Sequence, residues 1–225
     1  MNFLILGSGA LGSYFGGRLK LNGCSVTLVV KNTEHLDIIR SDGLTLKTDN
    51  TIEKTRIHCI STKTVNQLNN VYDAIFTFTK SKDTHNALST VRHLIQDHSV
   101  LITLQNGIGN EMILNQFSKR VIYGCTTLPA DLEKPGTVRS SGSHETIFYP
   151  LQTKDLVIAN NILYLLNKSG IPSQLNEDIS IDIWRKAIFN SAVNVICALI
   201  RGCPREIAKS KSLINLARMV NSSNI

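Results

Sequence analysis

The first two dozen residues constrain this chain more tightly than any other stretch. A short apolar run, Asn2-Phe3-Leu4-Ile5-Leu6, passes directly into Gly7-Ser8-Gly9-Ala10-Leu11-Gly12 and then into a segment of helical length. In a strand, G-x-G-x-x-G, helix unit each glycine answers a separate need. Gly7 permits the tight turn, Gly9 lets the backbone approach a pyrophosphate, and Gly12 lets the helix pack closely on the strand. The helix N-terminus adds free N–H groups and the positive end of the helix dipole. Gly16 and Gly17 continue the thin face of the same helix. The spacing alone is weak evidence, but the flanking strand, helix and second strand supply the context it needs. Residues Gly7, Ser8, Gly9, Ala10, Leu11 and Gly12 are therefore read as a dinucleotide-binding turn.

The rest of the first half repeats the strand–helix alternation. Runs 2–6, 26–30, 74–79, 100–104 and 120–125 are brief and apolar, as buried strands are. Amphipathic stretches at 10–22, 33–41, 83–95 and 109–117 separate them, and the insert 43–60 has the turn residues of a small hairpin. Such alternation predicts a parallel sheet covered on both faces. Segments 136–140 and 145–149 read as antiparallel strands and 154–169 as a helix closed by Gly170-Ile171-Pro172. Beyond 178 only helices are predicted, at 178–200 and 205–220. The expected fold class is α/β: a Rossmann-type doubly wound sheet over 1–170, then an incomplete all-helical part over 171–225.

Composition narrows the partners. With 42% apolar residues the chain has material for a sizeable core. Its net charge of +7 is scattered, with no run of five Lys or Arg, which disfavours nucleic acid and a polybasic membrane contact and suits an anionic small molecule. The apolar stretch 187–200 is interrupted by Asn190, Ser191 and Asn194 and is too short to span a bilayer. Five cysteines, odd in number and never spaced C-x-x-C, fit a reducing cytoplasm and disfavour a zinc ribbon.

Three further loops bear on the cofactor. An NAD site places an acid at the end of the second strand, whereas this chain reads Val29-Val30-Lys31-Asn32 there. Lys31 suits a 2′-phosphate, so NADP (as NADPH) is favoured; the bland alternative is a solvated surface lysine. Thr79-Lys80 and Gln105-Asn106-Gly107 follow the carboxyl ends of two more strands, where open α/β sheets bind ligands. Lys80 is a candidate for phosphate or ribose, and Asn106 for nicotinamide ribose or a substrate carbonyl.

The most informative late segment is Asp182-Ile183-Trp184-Arg185-Lys186-Ala187-Ile188-Phe189-Asn190-Ser191-Ala192-Val193-Asn194. Lys186, Asn190 and Asn194 recur every fourth residue, drifting only about 40° per step on a helix. They form one polar line on an apolar helix, and asparagines there cost stability unless they bond or face a ligand. Asp182 and Lys186 alone would be explained by an i,i+4 ion pair; the asparagines would not. A ketone reductase needs these groups, because an ammonium can stabilise and protonate the oxygen that receives charge on hydride transfer.

With these residues in view the chain resembles the ketopantoate reductase (2-dehydropantoate 2-reductase) family. The resemblance rests on Gly7–Gly12, Lys31, Thr79-Lys80, Leu104-Gln105-Asn106-Gly107-Ile108-Gly109, Pro135-Gly136-Thr137-Val138, and Trp184-Arg185-Lys186 with Asn190 and Asn194. It implies NADPH-dependent reduction of 2-dehydropantoate to pantoate, toward pantothenate and coenzyme A. It makes Lys186 the general acid, sets Asn106 beside nicotinamide and substrate, and gives Asn190 and Asn194 to substrate hydroxyl or carboxylate groups. Lys31 stands where many members carry Arg, and Val195 where many carry Pro. Members also continue through further helices bearing a substrate-binding serine and a catalytic glutamate, roles assigned to no residue here. Two other readings stay open: a reductase of another 2-oxo acid, and an inactive NADP-binding shortened paralogue. Apolar Leu213, Leu216 and Val220 on the last helix are expected to pair with a second copy, as a homodimer, or to limit solubility.

Overall fold

The computed structural model describes residues 1–222. Its first strand, β1 (Asn2–Leu6), is buried on both faces, with Phe3 and Ile5 in one core cluster and Leu4 and Leu6 in another. This two-sided burial is why the strands read as continuous apolar runs instead of alternating ones. The chain proceeds through α1 (Ala10–Leu21), β2 (Ser25–Val30), α2 (Thr33–Asp42), β3 (Leu44–Lys47), β4 (Ile52–Thr55), β5 (His58–Ser61) and β6 (Ala74–Thr77). It continues as α3 (Thr84–Thr90), β7 (Val100–Thr103), α4 (Asn110–Leu114), β8 (Val121–Thr126), β9 (Asp131–Lys134), β10 (Thr137–Arg139) and β11 (Thr146–Pro150). The remainder is α5 (Leu156–Lys168), β12 (Ser173–Leu175), α6 (Ile179–Ile200), α7 (Pro204–Lys209) and α8 (Lys211–Ser222).

Eight strands form one sheet in the order β12-β11-β8-β7-β6-β1-β2-β5. The six from β5 to β8 are mutually parallel, and β11 runs antiparallel to β8. Strand order reverses between β1 and β6, so the crevice beyond their carboxyl ends is the switch point where doubly wound sheets bind ligands. The second sheet, β4-β3-β10-β9, lies against α1. Sandwiched between two sheets, α1 needs thin faces on two sides. A Cβ on Gly16 would stand 2.5 Å from Leu28 of the main sheet, and one on Gly17 2.8 Å from Leu46 of the small one.

Several expectations change. The insert 43–60 does make a hairpin, β3–β4, but its end continues as β5 onto the edge of the main sheet. The segments 136–140 and 145–149 belong to different sheets: β10 pairs with β3 and β9, and β11 with β8 and β12. The helix expected at 83–95 is short α3 followed by a 3-10 turn at Arg92–Leu94. The final helix breaks at Ser210, whose extended backbone and hydroxyl, accepting from the Leu213 N–H at 3.4 Å, end α7 and start α8. The main sheet extends through Leu175, and α6 begins at Ile179, close to the start expected at 178.

Helix α6, at 22 residues, is by length and composition long and apolar enough to cross a membrane, unlike the shorter stretch expected. It carries Asp182, Arg185 and Lys186 in its first half and packs on β8, β11, α7 and α8. The face expected to be open on the last helix is partly covered, because Leu213 packs on Val193, Ile196 and Ile207. The larger exposed apolar surface lies on α6 at Ile181, Trp184, Phe189, Val195 and Leu199.

Candidate active site

Two cavities flank the N-terminus of α1. The larger, about 630 Å³, is lined by Gly7, Ser8, Gly9, Lys31, Asn32, His35, Phe78, Thr79, Lys80, Lys82, Asp83 and Leu132, among others. The smaller, about 320 Å³, is lined by Leu11, Leu104, Asn106, Thr126, Thr127, Leu128, Lys186, Phe189 and Asn190. Most of the residues singled out in the sequence thus divide between two adjoining chambers. The glycine loop and the two lysines line one; Leu11, Asn106, Lys186 and Asn190 line the other. Ala10 and Gly12 are in the first turn of α1 between them, and Asn194 is exposed and lines neither.

The glycine loop has the shape its spacing implies. Gly7 adopts φ +99°, and a Cβ there would stand 2.7 Å from the Thr79 nitrogen, so the turn after β1 lies hard against the chain leaving β6. A Cβ on Gly12 would meet the Gly7 carbonyl oxygen at 2.4 Å. Gly9 is different: a Cβ there meets nothing within 4 Å. The space it would enter is open, and no side chain caps the N-terminus of α1. Uncapped N–H groups, open space at Gly9 and a first turn free of acidic residues fit a phosphate-bearing dinucleotide. Three lysines face the same cavity, Lys31, Lys80 and Lys82. Asn32 is the N-cap of α2, its side chain accepting from the His35 N–H at 2.8 Å, and this fixes the direction in which the chain leaves β2 past Lys31.

The loops after β6 and β7 are held together by Gln105. Its amide nitrogen donates to the Thr79 carbonyl at 2.5 Å and to the Thr84 hydroxyl at 2.9 Å, while its oxygen accepts from the Thr103 hydroxyl at 2.9 Å. The Asn106 carbonyl accepts from Ser81 at 3.3 Å and Asn110 at 3.2 Å, which fixes the backbone and leaves the Asn106 side chain beside the smaller cavity.

Lys186 enters that cavity from the first half of α6, and its ammonium donates to the Thr126 carbonyl at the end of β8. Asp182 does not pair with it. That carboxylate instead accepts from Asn176 at 2.6 Å and lies 3.6 Å from Arg185, one position nearer along the helix. Among the described residues Lys186 joins no ion pair. Burial pulls its pKa below the usual lysine value, and the neighbouring Cys125 thiol opposes that only in part. An ammonium of weakened proton affinity, beside two amides in a chamber walled by Leu104, Leu128 and Phe189, is equipped to polarise and protonate a carbonyl oxygen.

Sequence reasoning missed Lys82, Leu132, His35 and the Thr126 carbonyl. Lys82 lies two residues beyond Lys80 and needed only the cavity to be recognised. Leu132 is on β9, whose Asp-Leu-Glu-Lys sequence has no strand signature, and a backbone carbonyl leaves no mark in a sequence at all.

Comparison with known proteins agrees with this geometry. The family described as "Ketopantoate reductase PanE/ApbA" matches residues 3–152. The 2-dehydropantoate 2-reductase of Pyrococcus abyssi is 35% identical over 222 residues, 98% of this chain and 71% of that protein. The enzyme of the same name from Archaeoglobus fulgidus is 30% identical, over 96% of this chain and 70% of its own length. Among solved structures, D-mandelate dehydrogenase with NADH and anilino(oxo)acetate superposes with a TM-score of 0.89 at 27% identity, over 96% of this chain and 70% of that one. The glycine loop, the paired cavities and these matches lead to one assignment: the chain belongs to the ketopantoate reductase PanE/ApbA family.

Proposed function

We propose that this chain binds NADPH in the larger cavity and reduces 2-dehydropantoate to pantoate in the smaller one, with Lys186 as proton donor. The observation that carries this reading is the convergence of Lys186, Asn106 and Asn190 on a chamber that shares the α1 N-terminus with the dinucleotide crevice. The division of labour follows the chain, with a cofactor part ending near β12 and a helical part beginning with α6.

Gly9 and the first N–H groups of α1 would hold the pyrophosphate, and Lys31, with Lys80 and Lys82 near by, the remaining phosphate charge. A bound nicotinamide supplies the hydride. Lys186 holds its proton toward the substrate carbonyl oxygen and delivers it as negative charge develops there, leaving a neutral amine that solvent recharges. Asn106 and Asn190 orient the carbonyl and its neighbouring oxygens. Leu104, Leu128 and Phe189 limit water around the ammonium, which strengthens its interaction with the developing charge. Asn194, one turn further along the same line, is assigned to the distal, hydroxyl-bearing end of the substrate.

A second reading, reduction of a different 2-oxo acid, is favoured by the likeness to D-mandelate dehydrogenase. Comparing kcat/KM for 2-dehydropantoate with that for an aryl 2-oxo acid decides between them. The first reading expects the larger value for 2-dehydropantoate, and a larger value for the aryl acid contradicts it.

Cofactor choice has its own test at Lys31. One charge-assisted contact to a 2′-phosphate is worth about 1.4 kcal/mol, so Lys31→Ala should raise the NADPH dissociation constant about tenfold. NADH binding should stay within about twofold, since NADH has no such phosphate. Equal losses for both cofactors in fluorescence titrations would remove Lys31 from the phosphate site.

A further inference from the structure

One buried titratable side chain lines the cofactor cavity without a part in the chemistry above. His35, on the first turn of α2, is 1% exposed. Its Nδ1 accepts from the Gly136 N–H at 2.9 Å, and its Nε2 lies 3.1 Å from the Ser13 hydroxyl. An amide N–H can only donate, so Nδ1 holds the lone pair and the ring proton is on Nε2. The direction of the chain is then set: Nε2–H donates to Ser13, and the Ser13 hydroxyl donates to the Ser8 carbonyl at 3.2 Å. Burial holds the pKa of His35 below the ordinary histidine value, which keeps this neutral tautomer in place.

Ser8 is the residue between the two glycines of the loop. Its N–H donates to the Val29 carbonyl at 3.0 Å and its carbonyl is drawn inward by Ser13. No peptide bond among the described residues is cis. In a trans peptide the C=O and the following N–H point in opposite directions. Holding the Ser8 carbonyl inward therefore turns the Gly9 N–H the opposite way, and the space at the Cβ position of Gly9 is open. On its other nitrogen, His35 fastens the β9–β10 turn at Gly136, which is so close to α2 that a Cβ there would stand 2.2 Å from Ile38. That turn belongs to the hairpin whose Leu132, 39% exposed, lines the same cavity.

We infer that His35 is a positioning residue for the dinucleotide: through Ser13 and Ser8 it orients the Gly9 amide, and through Gly136 it sets the β9–β10 hairpin at the cavity wall. The inference rests on the cofactor reading above. It assigns His35 an effect on cofactor affinity separate from its contribution to stability.

The experiment is fluorescence titration with NADPH, well below each variant's melting temperature, with melting temperature measured alongside. His35→Leu leaves the Gly136 N–H and Ser13 without this partner and should raise the dissociation constant about tenfold. Ser13→Ala, which cuts the link to Ser8 and also takes the acceptor from the His35 Nε2–H, should raise it about fivefold, with a loss of melting temperature no larger than that of His35→Leu. His35→Asn keeps an acceptor where Nδ1 stood but does not reach Ser13, so it should match Ser13→Ala and partly rescue His35→Leu. A purely structural histidine would lower melting temperature and leave the affinity of the folded protein alone. Affinities within twofold of the parent for both folded His35→Leu and Ser13→Ala would overturn the inference. If His35→Leu does not fold, an unchanged affinity in Ser13→Ala overturns it alone. Failure of the parent to bind NADPH would overturn the cofactor reading and this inference together, which distinguishes the two cases.

Discussion

Lys186→Ala is expected to lower kcat for 2-dehydropantoate reduction about a thousandfold, the middle of the range for loss of a positioned general acid. The expectation follows from how Lys186 is held. Its ammonium has the Thr126 carbonyl as partner and, among the described residues, no carboxylate, since Asp182 is engaged by Asn176 and Arg185. A lysine neutralised by an ion pair would resist giving up its proton; this one has been made a better acid by burial. Because the side chain acts on charge that appears only during reaction, the loss should fall on kcat more than on KM. Lys186→Arg should recover little, since a guanidinium is planar, bulkier and does not release its proton at working pH. The pH profile carries a sign as well. Reduction needs the charged form, so kcat should fall as pH rises through the Lys186 pKa. That limb should lie below the pH at which a free lysine titrates. In Lys186→Ala the limb should vanish. An unchanged kcat, or the same alkaline limb in the variant, would assign the proton to another group.

Gly9→Ala should separate folding from cofactor binding. The residue has φ −77° and ψ −153°, backbone values that alanine adopts without strain. Apart from its chain neighbours, its added methyl would meet no atom of the described residues within 4 Å. Folding stability should therefore change by no more than about 1 kcal/mol, the gap between glycine and alanine at a helix N-cap. NADPH affinity should fall about a hundredfold, because the methyl occupies the place where phosphate approaches the backbone and removes two charge-assisted hydrogen bonds of about 1.5 kcal/mol each. Gly12→Ala is the counterpart. Its methyl would be driven to 2.4 Å from the Gly7 carbonyl oxygen, so it should lower stability first and binding as a consequence. Calorimetry and titration on the two variants check this. Equal melting temperatures for both, or unchanged affinity in Gly9→Ala, would refute the assignment of the loop.

What the sequence disclosed and what it withheld follow from where each signal resides. The glycine loop was legible because its strand, turn and helix are contiguous. The line of Lys186 and Asn190 was legible because helical period brings residues four apart to one face. Asn194 shares the line one turn further on and is exposed, outside the lining of the smaller cavity. The same rule suggested Asp182 as the partner of Lys186, whereas Asn176, outside the helix, is the closer claimant. Strand β9 was hidden because all four of its residues are exposed, so no alternation marks it. His35 was hidden for another reason: its partners Ser13 and Gly136 are 22 and 101 residues away. Only the stacking of the second sheet on α1 brings those three together.

The most direct test of the account is a single-turnover experiment. The 225-residue chain, saturated with NADPH, is mixed with 2-dehydropantoate while NADPH absorbance is followed, with Lys186→Ala run beside it. The account predicts NADPH oxidation with one equivalent of pantoate formed by the parent, and a rate about a thousandfold lower in the variant. Equal rates in the two chains, or NADPH bound by the parent without any pantoate formed, would contradict it.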